Sequence, residues 1–255
     1  MEAIRNMPDD GPFLLEIRRL AAENSNREAY DVLYAEESLS QIESFYLWLM
    51  DRLALPQSGI FLDVSCGAGE VVRLAAQRGL QATGVDISHI VARVARHNVV
   101  PLGNIVVGNG EDLPFPDASF DFVTNIGSLE HFARPDLGAR EIARVLRPGG
   151  RAFVLVPNTF SLLANIWTAF RTGRTAADAQ PIQRYGARHD WIQLLAKNGL
   201  SVRQTFKYER PRPRTRADLR YYLSRRKELL RMIATPFVPL NLAWCFLFVC
   251  ERELP

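Results

Sequence analysis

Phe61-Leu62-Asp63-Val64-Ser65-Cys66-Gly67-Ala68-Gly69 is the stretch on which the reading of this chain turns. An apolar run, an acid and then small residues ending in Gly-x-Gly describe a buried strand that breaks into a tight turn and opens a helix. Glycine suits such a turn because the backbone must bend sharply and come close to a ligand, where a β-carbon would obstruct. The free amides at the helix start can then hold polar ligand atoms. Taken alone, the turn serves dinucleotides, mononucleotides and plain packing alike, and the segments around it decide among these.

Working outward, strand-like runs occur at 60–64, 81–85, 104–107, 120–126 and 151–156, with helical patterns at 70–78, 88–98 and 136–146. Regular alternation with short turns implies an α/β fold, a parallel sheet with helices on both faces. Arg147-Pro148-Gly149-Gly150 closes the third helix and turns the chain into the fifth strand. Upstream, residues 13–53 read as helices, with Leu39, Ile42, Tyr46, Leu49 and Leu53 on one apolar face, and Pro56-Gln57-Ser58-Gly59 punctuates the entry to the first strand. Residues 1–55 are therefore expected to form a helical lid on a domain spanning 56–255. After Pro157 come an apolar helical stretch (Leu162, Leu163, Ile166, Trp167, Phe170), a polar loop from Gly173 to Gly186, a helix at 189–198 and a strand at 200–208. The insertion 158–187 is the natural substrate-side element, because binding residues concentrate on loops held by a rigid scaffold.

At 255 residues, 47% apolar and 23% charged, the chain has the composition of a soluble globular protein with one large core. Cys66, Cys245 and Cys250 are odd in number and lack Cys-x-x-Cys spacing, which speaks against a disulfide framework or a metal site and for a reducing, cytoplasmic setting. The first twenty residues lack the basic-then-apolar order of a secretory signal. Charge is uneven. Lys207 to Arg231 holds ten Lys/Arg and three Asp/Glu, a net +7 that leaves −4 for the remainder of a chain totalling +3. Such a segment suits an anionic partner such as a phosphate or a membrane surface, or is a solvated arginine-rich helix and loop; the Arg/Pro stretch 209–216 is expected to be exposed. Residues 232–250 carry no charge. Pro236, Pro239 and Asn241 interrupt the first half, so the clean run 242–250 reads as a buried strand. The other reading is peripheral membrane contact through 207–245.

Three features extend the glycine turn. The second strand ends in Gly84-Val85-Asp86, and a carboxylate at that tip can accept hydrogen bonds from both hydroxyls of a ribose, or cap the next helix together with Ser88. The third strand runs into Gly108-Asn109-Gly110-Glu111-Asp112-Leu113-Pro114-Phe115, suited to reading an adenine edge or simply to a soluble loop. The fourth, Phe120-Asp121-Phe122-Val123-Thr124-Asn125-Ile126, delivers Gly127-Ser128-Leu129-Glu130-His131-Phe132 to the crevice where open α/β sheets bind ligands.

Leu62–Gly69, Gly84–Asp86, Asn109–Phe115, Phe120–Phe132 and Glu141–Gly150 together resemble the class I S-adenosylmethionine-dependent methyltransferases of type 11, in the small-molecule branch that includes ubiquinone/menaquinone-biosynthesis enzymes. The resemblance covers roughly residues 28–157. It implies a Rossmann-like doubly wound seven-stranded sheet, mostly parallel with an antiparallel last strand, whose sixth and seventh strands fall at 200–208 and 243–250. It implies S-adenosyl-L-methionine as cofactor and S-adenosyl-L-homocysteine as product. Asp63, Gly67 and Gly69 would lie around the methionine and sugar, Asp86 on the ribose and Ile87 on the adenine. Asn109, Gly110 and Glu111 would flank the adenine edge, with Asn125 near the amino-acid end. Ser65, in the same turn, departs from the family, which has glycine there; serine narrows the allowed backbone angles.

A nicotinamide enzyme would want a third glycine at position 72 for its pyrophosphate, and this chain has Val72. A nucleic-acid methyltransferase is not expected, since no Asn/Asp-Pro-Pro-aromatic motif or catalytic Pro-Cys is present. The remaining alternative is a non-catalytic cofactor-binding or scaffold relative. Methyl transfer is an in-line displacement whose main demand is alignment, helped by proton removal when the acceptor is a hydroxyl or activated carbon. His131 is the best-placed base, or else Glu130-His131 caps or orients its loop; His97 and His189 lie in helical patterns. Tyr30 and Tyr34 from the lid, with Trp167, Arg184, Tyr185 and Arg188 from the insertion, are the expected substrate contacts, Trp167 being also a core candidate. Arginines beside a tyrosine suit an anionic acceptor, and the acceptor class is a small molecule, a lipid-linked compound or a glycan methylated on O, N or C.

Overall fold

A computed structural model describes residues 11–18, 28, 30, 31, 41–176 and 180–253. The glycine turn joins β2 (Ile60–Val64) to α2 (Glu70–Gln77), and α/β alternation continues through β3 (Gln81–Asp86), α3 (His89–Val99), β4 (Asn104–Val107), β5 (Phe120–Ile126), α4 (Pro135–Val145) and β6 (Leu146–Pro157). β8 (Leu200–Tyr208) and β9 (Cys245–Arg252) complete a seven-stranded sheet of order β4-β3-β2-β5-β6-β9-β8. β9 is antiparallel to both of its neighbours, and the other pairings are parallel. This is the doubly wound sheet that the alternating pattern implies.

Period-two alternation splits the core into two layers. Val154 and Val156 of β6 and Phe246 and Phe248 of β9 pack with Ile142 of α4 and Trp191 of α6 (Arg188–Lys197). Phe153, Leu155 and Leu247 face the opposite way, against Phe45, Leu49 and Leu53 of α1 (Glu43–Leu53) and Val72 and Ala75 of α2.

Three expectations change. Residues 14–18 are a strand, β1 (Leu14–Arg18), paired antiparallel with β7 (Ile182–Gly186), which itself lies inside the expected polar loop. The short Leu-Leu-Glu-Ile-Arg run has no decisive period, so its partner, far away in sequence, settles its state. The segment 209–216 is only partly exposed, since Glu209 and Pro211 are buried. The uncharged stretch enters the sheet only at Cys245; before it lie two short 3₁₀ turns, Thr235–Phe237 and Leu240–Leu242. Among the described residues no helix is long and apolar enough to cross a membrane.

The absent third glycine has a steric counterpart. A β-carbon on Gly84 would lie 2.8 Å from Val72 Cγ2 and 2.7 Å from Cys66 Sγ, so the space a valine needs at α2 is vacated on β3. Gly84→Ala is therefore expected to lower stability by about 1–3 kcal/mol through overpacking, read as a drop in melting temperature.

Candidate active site

The turn after β2 is a left-handed loop. Ser65, Gly67 and Gly69 have φ of +60°, +52° and +82°. Ser65 thus sits in the region that favours the glycine of the family pattern, at a cost of order 1 kcal/mol. Gly69 also lets α2 approach α3, since a β-carbon there would lie 2.7 Å from Val99 Cγ2. The loop is fastened across the sheet: Gly67 N–H donates to Asp86 Oδ2 at 2.9 Å and Cys66 N–H to Val85 O at 3.0 Å. Asp86 Oδ1 accepts from the Ser88 amide at 3.0 Å, and Ser88 Oγ caps α3 by accepting from Val91 N–H. Ser88 also donates to Asp31, which brings the N-terminal segment carrying Tyr30 to the β3 tip. Tyr34 lies outside the described residues.

Asp63 and Asp86 are both buried, and among the described residues neither has an ion-pair partner. Burial pushes the Asp63 carboxyl up to about 7, opposed by a 2.6 Å hydrogen bond from Thr124 Oγ1 and reinforced by Asp86. Burial also raises Asp86, against the backbone amides of Ser88, Gly67 and Ile87. Ile87 is half-buried beside it. Two desolvated acids without a cationic side chain suit a ligand that brings its own positive charge, and repel a pyrophosphate. Each Asp86 oxygen accepts one backbone amide and retains a lone pair for a hydroxyl. The Ser65–Gly69 backbone, Asp63 and Asp86 thus form one buried acidic corner at the C-terminal ends of β2 and β3.

After β4, exposed Asn109 turns its Oδ1 back to the Glu111 amide at 3.0 Å, and Glu111 Oε1 accepts from Ala133 N–H at 2.7 Å. Gly110 is held against the Phe132 ring, 2.4 Å from where its β-carbon would stand. Asn125 is fully buried: its Nδ2 donates to Val64 O and its Oδ1 accepts from Leu129 N–H. It therefore braces the 3₁₀ turn Leu129–His131 against β2.

That turn presents His131. Its Nδ1 lies 2.6 Å from Ile182 O, a bond that places a proton on Nδ1 and makes Nε2 the basic nitrogen, 3.8 Å from the buried carboxylate of Glu130. Arg184 corrects the expectation of a substrate contact. It is buried, it donates to the carbonyls of Glu130, Phe132 and Ala133, and it pairs with Glu16 of β1 at 2.6 Å. It frames the histidine loop instead. Tyr185 is likewise buried, in register with Leu15. Arg188 donates to Asn241 Oδ1 at 2.8 Å. Trp167 is exposed, not core, and packs on Phe170 with ring centroids 5.9 Å apart.

The structure adds groups that sequence reasoning passed over. Tyr46, read as part of an apolar face, has its phenol close enough to feel Asp63 and Glu70, and burial chiefly raises its pKa. Asn158, directly after β6, is buried and donates to the carbonyls of Asn241 and Ala243. Its position at a strand's C-terminal end was the available signal.

These features define a class I S-adenosylmethionine-dependent methyltransferase. Residues 62–154 match the family model described as a methyltransferase domain. The chain is 31% identical over 192 residues to the 27-O-demethylrifamycin SV methyltransferase of Amycolatopsis mediterranei (strain S699), covering 70% of each. It is 34% identical over 146 residues to the demethylmenaquinone methyltransferase of Tropheryma whipplei (strain Twist), covering 56% of this chain and 60% of that enzyme. Among solved structures, a Haloferax volcanii methyltransferase in complex with the Trm112 methyltransferase activator shares the fold, with a TM-score of 0.66 at 19% identity over 91% of this chain and 99% of that one. This chain belongs to the methyltransferase-domain family, and its methyl donor is S-adenosyl-L-methionine.

Asp63 gives the apo protein a signature. Its carboxyl titrates near 4 when unfolded and about 7 when folded, so between these values the native state holds a proton that the unfolded chain has lost. Stability is expected to fall as pH rises from about 4 to about 7, by at most about 4 kcal/mol from this group, and to level off above. Urea midpoints measured across that range are expected to vary less in Asp63→Asn.

Proposed function

We propose that this methyltransferase acts on a hydroxyl or activated carbon of a small organic acceptor, with Asp86 anchoring the cofactor and His131 receiving the acceptor's proton. The observation that carries the reading is the adjacency of two features at one end of the sheet. One is the buried acid pair of Asp63 and Asp86, which among the described residues has no cationic partner. The other is a histidine whose tautomer is set by Ile182 O and whose imidazolium would be stabilised by Glu130. The cofactor, when bound, supplies an electrophilic methyl group on a sulfonium that is displaced in line. The chain's own work is positional: Gly67 and Asp86 hold the β2 turn, Asn125 and Arg184 hold the 129–133 loop, and Nε2 of His131 takes a proton as the acceptor oxygen or carbon becomes nucleophilic. Relatives named for a quinone precursor and for a demethylated rifamycin support an acceptor of this kind. Arg188, partly exposed at the start of α6, favours one that carries negative charge.

Calorimetry with S-adenosylmethionine tests the cofactor half: Asp86→Ala is expected to abolish measurable binding, with Asp86→Asn as a folded control of intermediate affinity. A folded wild-type protein that gave no heat would favour a non-catalytic scaffold. For the chemistry, transfer of labelled methyl to a panel including demethylmenaquinol and 27-O-demethylrifamycin SV is the measurement. His131→Ala is expected to keep cofactor affinity and to lose about 10²–10⁴-fold in turnover. Undiminished turnover in that variant would remove His131 from the chemistry.

A further inference from the structure

The connection between β8 and β9 holds two helices, α7 (Arg216–Ser224) and α8 (Arg226–Ala234), whose inward faces are anchored by polar residues. Helices of water-soluble proteins turn an apolar stripe inward and polar residues outward. On α7 the buried residues are Asp218 and Tyr222. Asp218 accepts from the Ser44 amide of α1 at 2.7 Å and from its hydroxyl, and Tyr222 donates to Pro211 O at 2.7 Å. On α8, Glu228 and Arg231 face the protein. Glu228 pairs with Arg210 and Arg231, and the guanidiniums of Arg210 and Arg231 lie 4.2 and 5.2 Å from the Trp244 ring centroid.

Leu229 and Met232 of α8 are half-buried, but the outward faces also carry apolar side chains. Leu223, Leu230 and Ile233 are 62%, 66% and 55% exposed, and Phe237 in the following turn is 84% exposed. Arg216, Arg220, Arg225, Arg226 and Lys227 are exposed among them. The inner polar anchors prevent the helices from rolling to hide the leucines without breaking the Asp218 and Glu228 contacts. An apolar ridge ringed by cations matches a bilayer interface in both respects, since the side chains enter the acyl boundary while the cations meet anionic headgroups.

The ridge also stands at the working end of the sheet. The connection leaves at Tyr208 and returns at Cys245, which pair with each other, and Cys245 pairs with Pro157 at the C-terminal end of β6. Asn158 ties that end to Asn241 and Ala243. Exposed Trp167 and Phe170 follow on α5 (Trp167–Thr172), with Arg171 over the Trp167 ring at 5.8 Å.

We propose that α7, α8 and Phe237 dock this protein on an anionic lipid bilayer, so that its acceptor is drawn from the lipid phase. The docking stands independently of methyl transfer; only the origin of the acceptor rests on the proposed function. Flotation of the full chain with vesicles tests it, using phosphatidylcholine alone and phosphatidylcholine with about a third phosphatidylglycerol. Recovery with the anionic vesicles is expected to exceed that with neutral ones by at least about tenfold at low salt, and to collapse at about 0.5 M salt. Leu230→Ser with Phe237→Ser, and separately Arg225→Ala, Arg226→Ala and Lys227→Ala together, are each expected to lower recovery by about tenfold. Melting temperature and S-adenosylmethionine affinity are expected to stay unchanged in both, which separates failed docking from a failed fold or a failed cofactor site. Absence of flotation, equal recovery with neutral vesicles, or variants that float like the wild type would overturn the proposal. So would a dimer in light scattering that Leu230→Ser dissolves, since the ridge would then belong to a second copy.

Discussion

The hydrogen bond from Gly67 N–H to the Asp86 carboxylate links the ends of β2 and β3. It crosses from the turn after β2 to the tip of β3, and it exists only because the turn runs through left-handed backbone at Ser65, Gly67 and Gly69. The same carboxylate binds the amide of Ser88, so one side chain fixes the turn, the tip of β3 and the start of α3. Burial makes this arrangement costly for a charged group and therefore receptive to a cationic ligand. Gly84 completes the corner by leaving room for Cys66 and Val72. Strain at Ser65, the missing glycine at 72 and the bare strand at Gly84 are thus parts of one packing solution.

A second frame holds the loop after β5. The β1–β7 ribbon supplies Ile182 O to His131, while Arg184 gathers the carbonyls of the same loop and is balanced by Glu16. A buried guanidinium satisfied this way is rigid, because removing any partner leaves a desolvated charge. The histidine is thus held by a strand some fifty residues downstream. Strong tethering of a loop that follows a central strand fits a site whose chief requirement is alignment.

How much was legible follows from where each signal resides. The turn, the acid at Asp86 and the alternation from β2 to β6 depend on local backbone chemistry and short periodicities, so they could be read directly. Asn125 and Arg184 show the opposite case. Their residue types suit ligand contact equally well, and only the register of β5 against β2, and of β7 against β1, reveals that their hydrogen bonds are used inside the protein. Leu14–Arg18 could not be assigned from its own residues, because an edge strand takes its conformation from its partner. The aromatic group of Phe45, Trp48, Tyr208 and Trp244 is assembled from three distant segments, and none signals the others.

By itself, the sequence determined the class of sheet, the position of the glycine turn and the family, since glycine, acid and strand periodicity act over a few residues. Tertiary structure alone decided which polar residues remain available to ligands, the setting of His131, and the outward turn of the leucines on α7 and α8. Those outcomes depend on which groups from remote parts of the chain the fold brings within hydrogen-bonding distance. A buried donor or charge must be satisfied by whatever the fold brings to it.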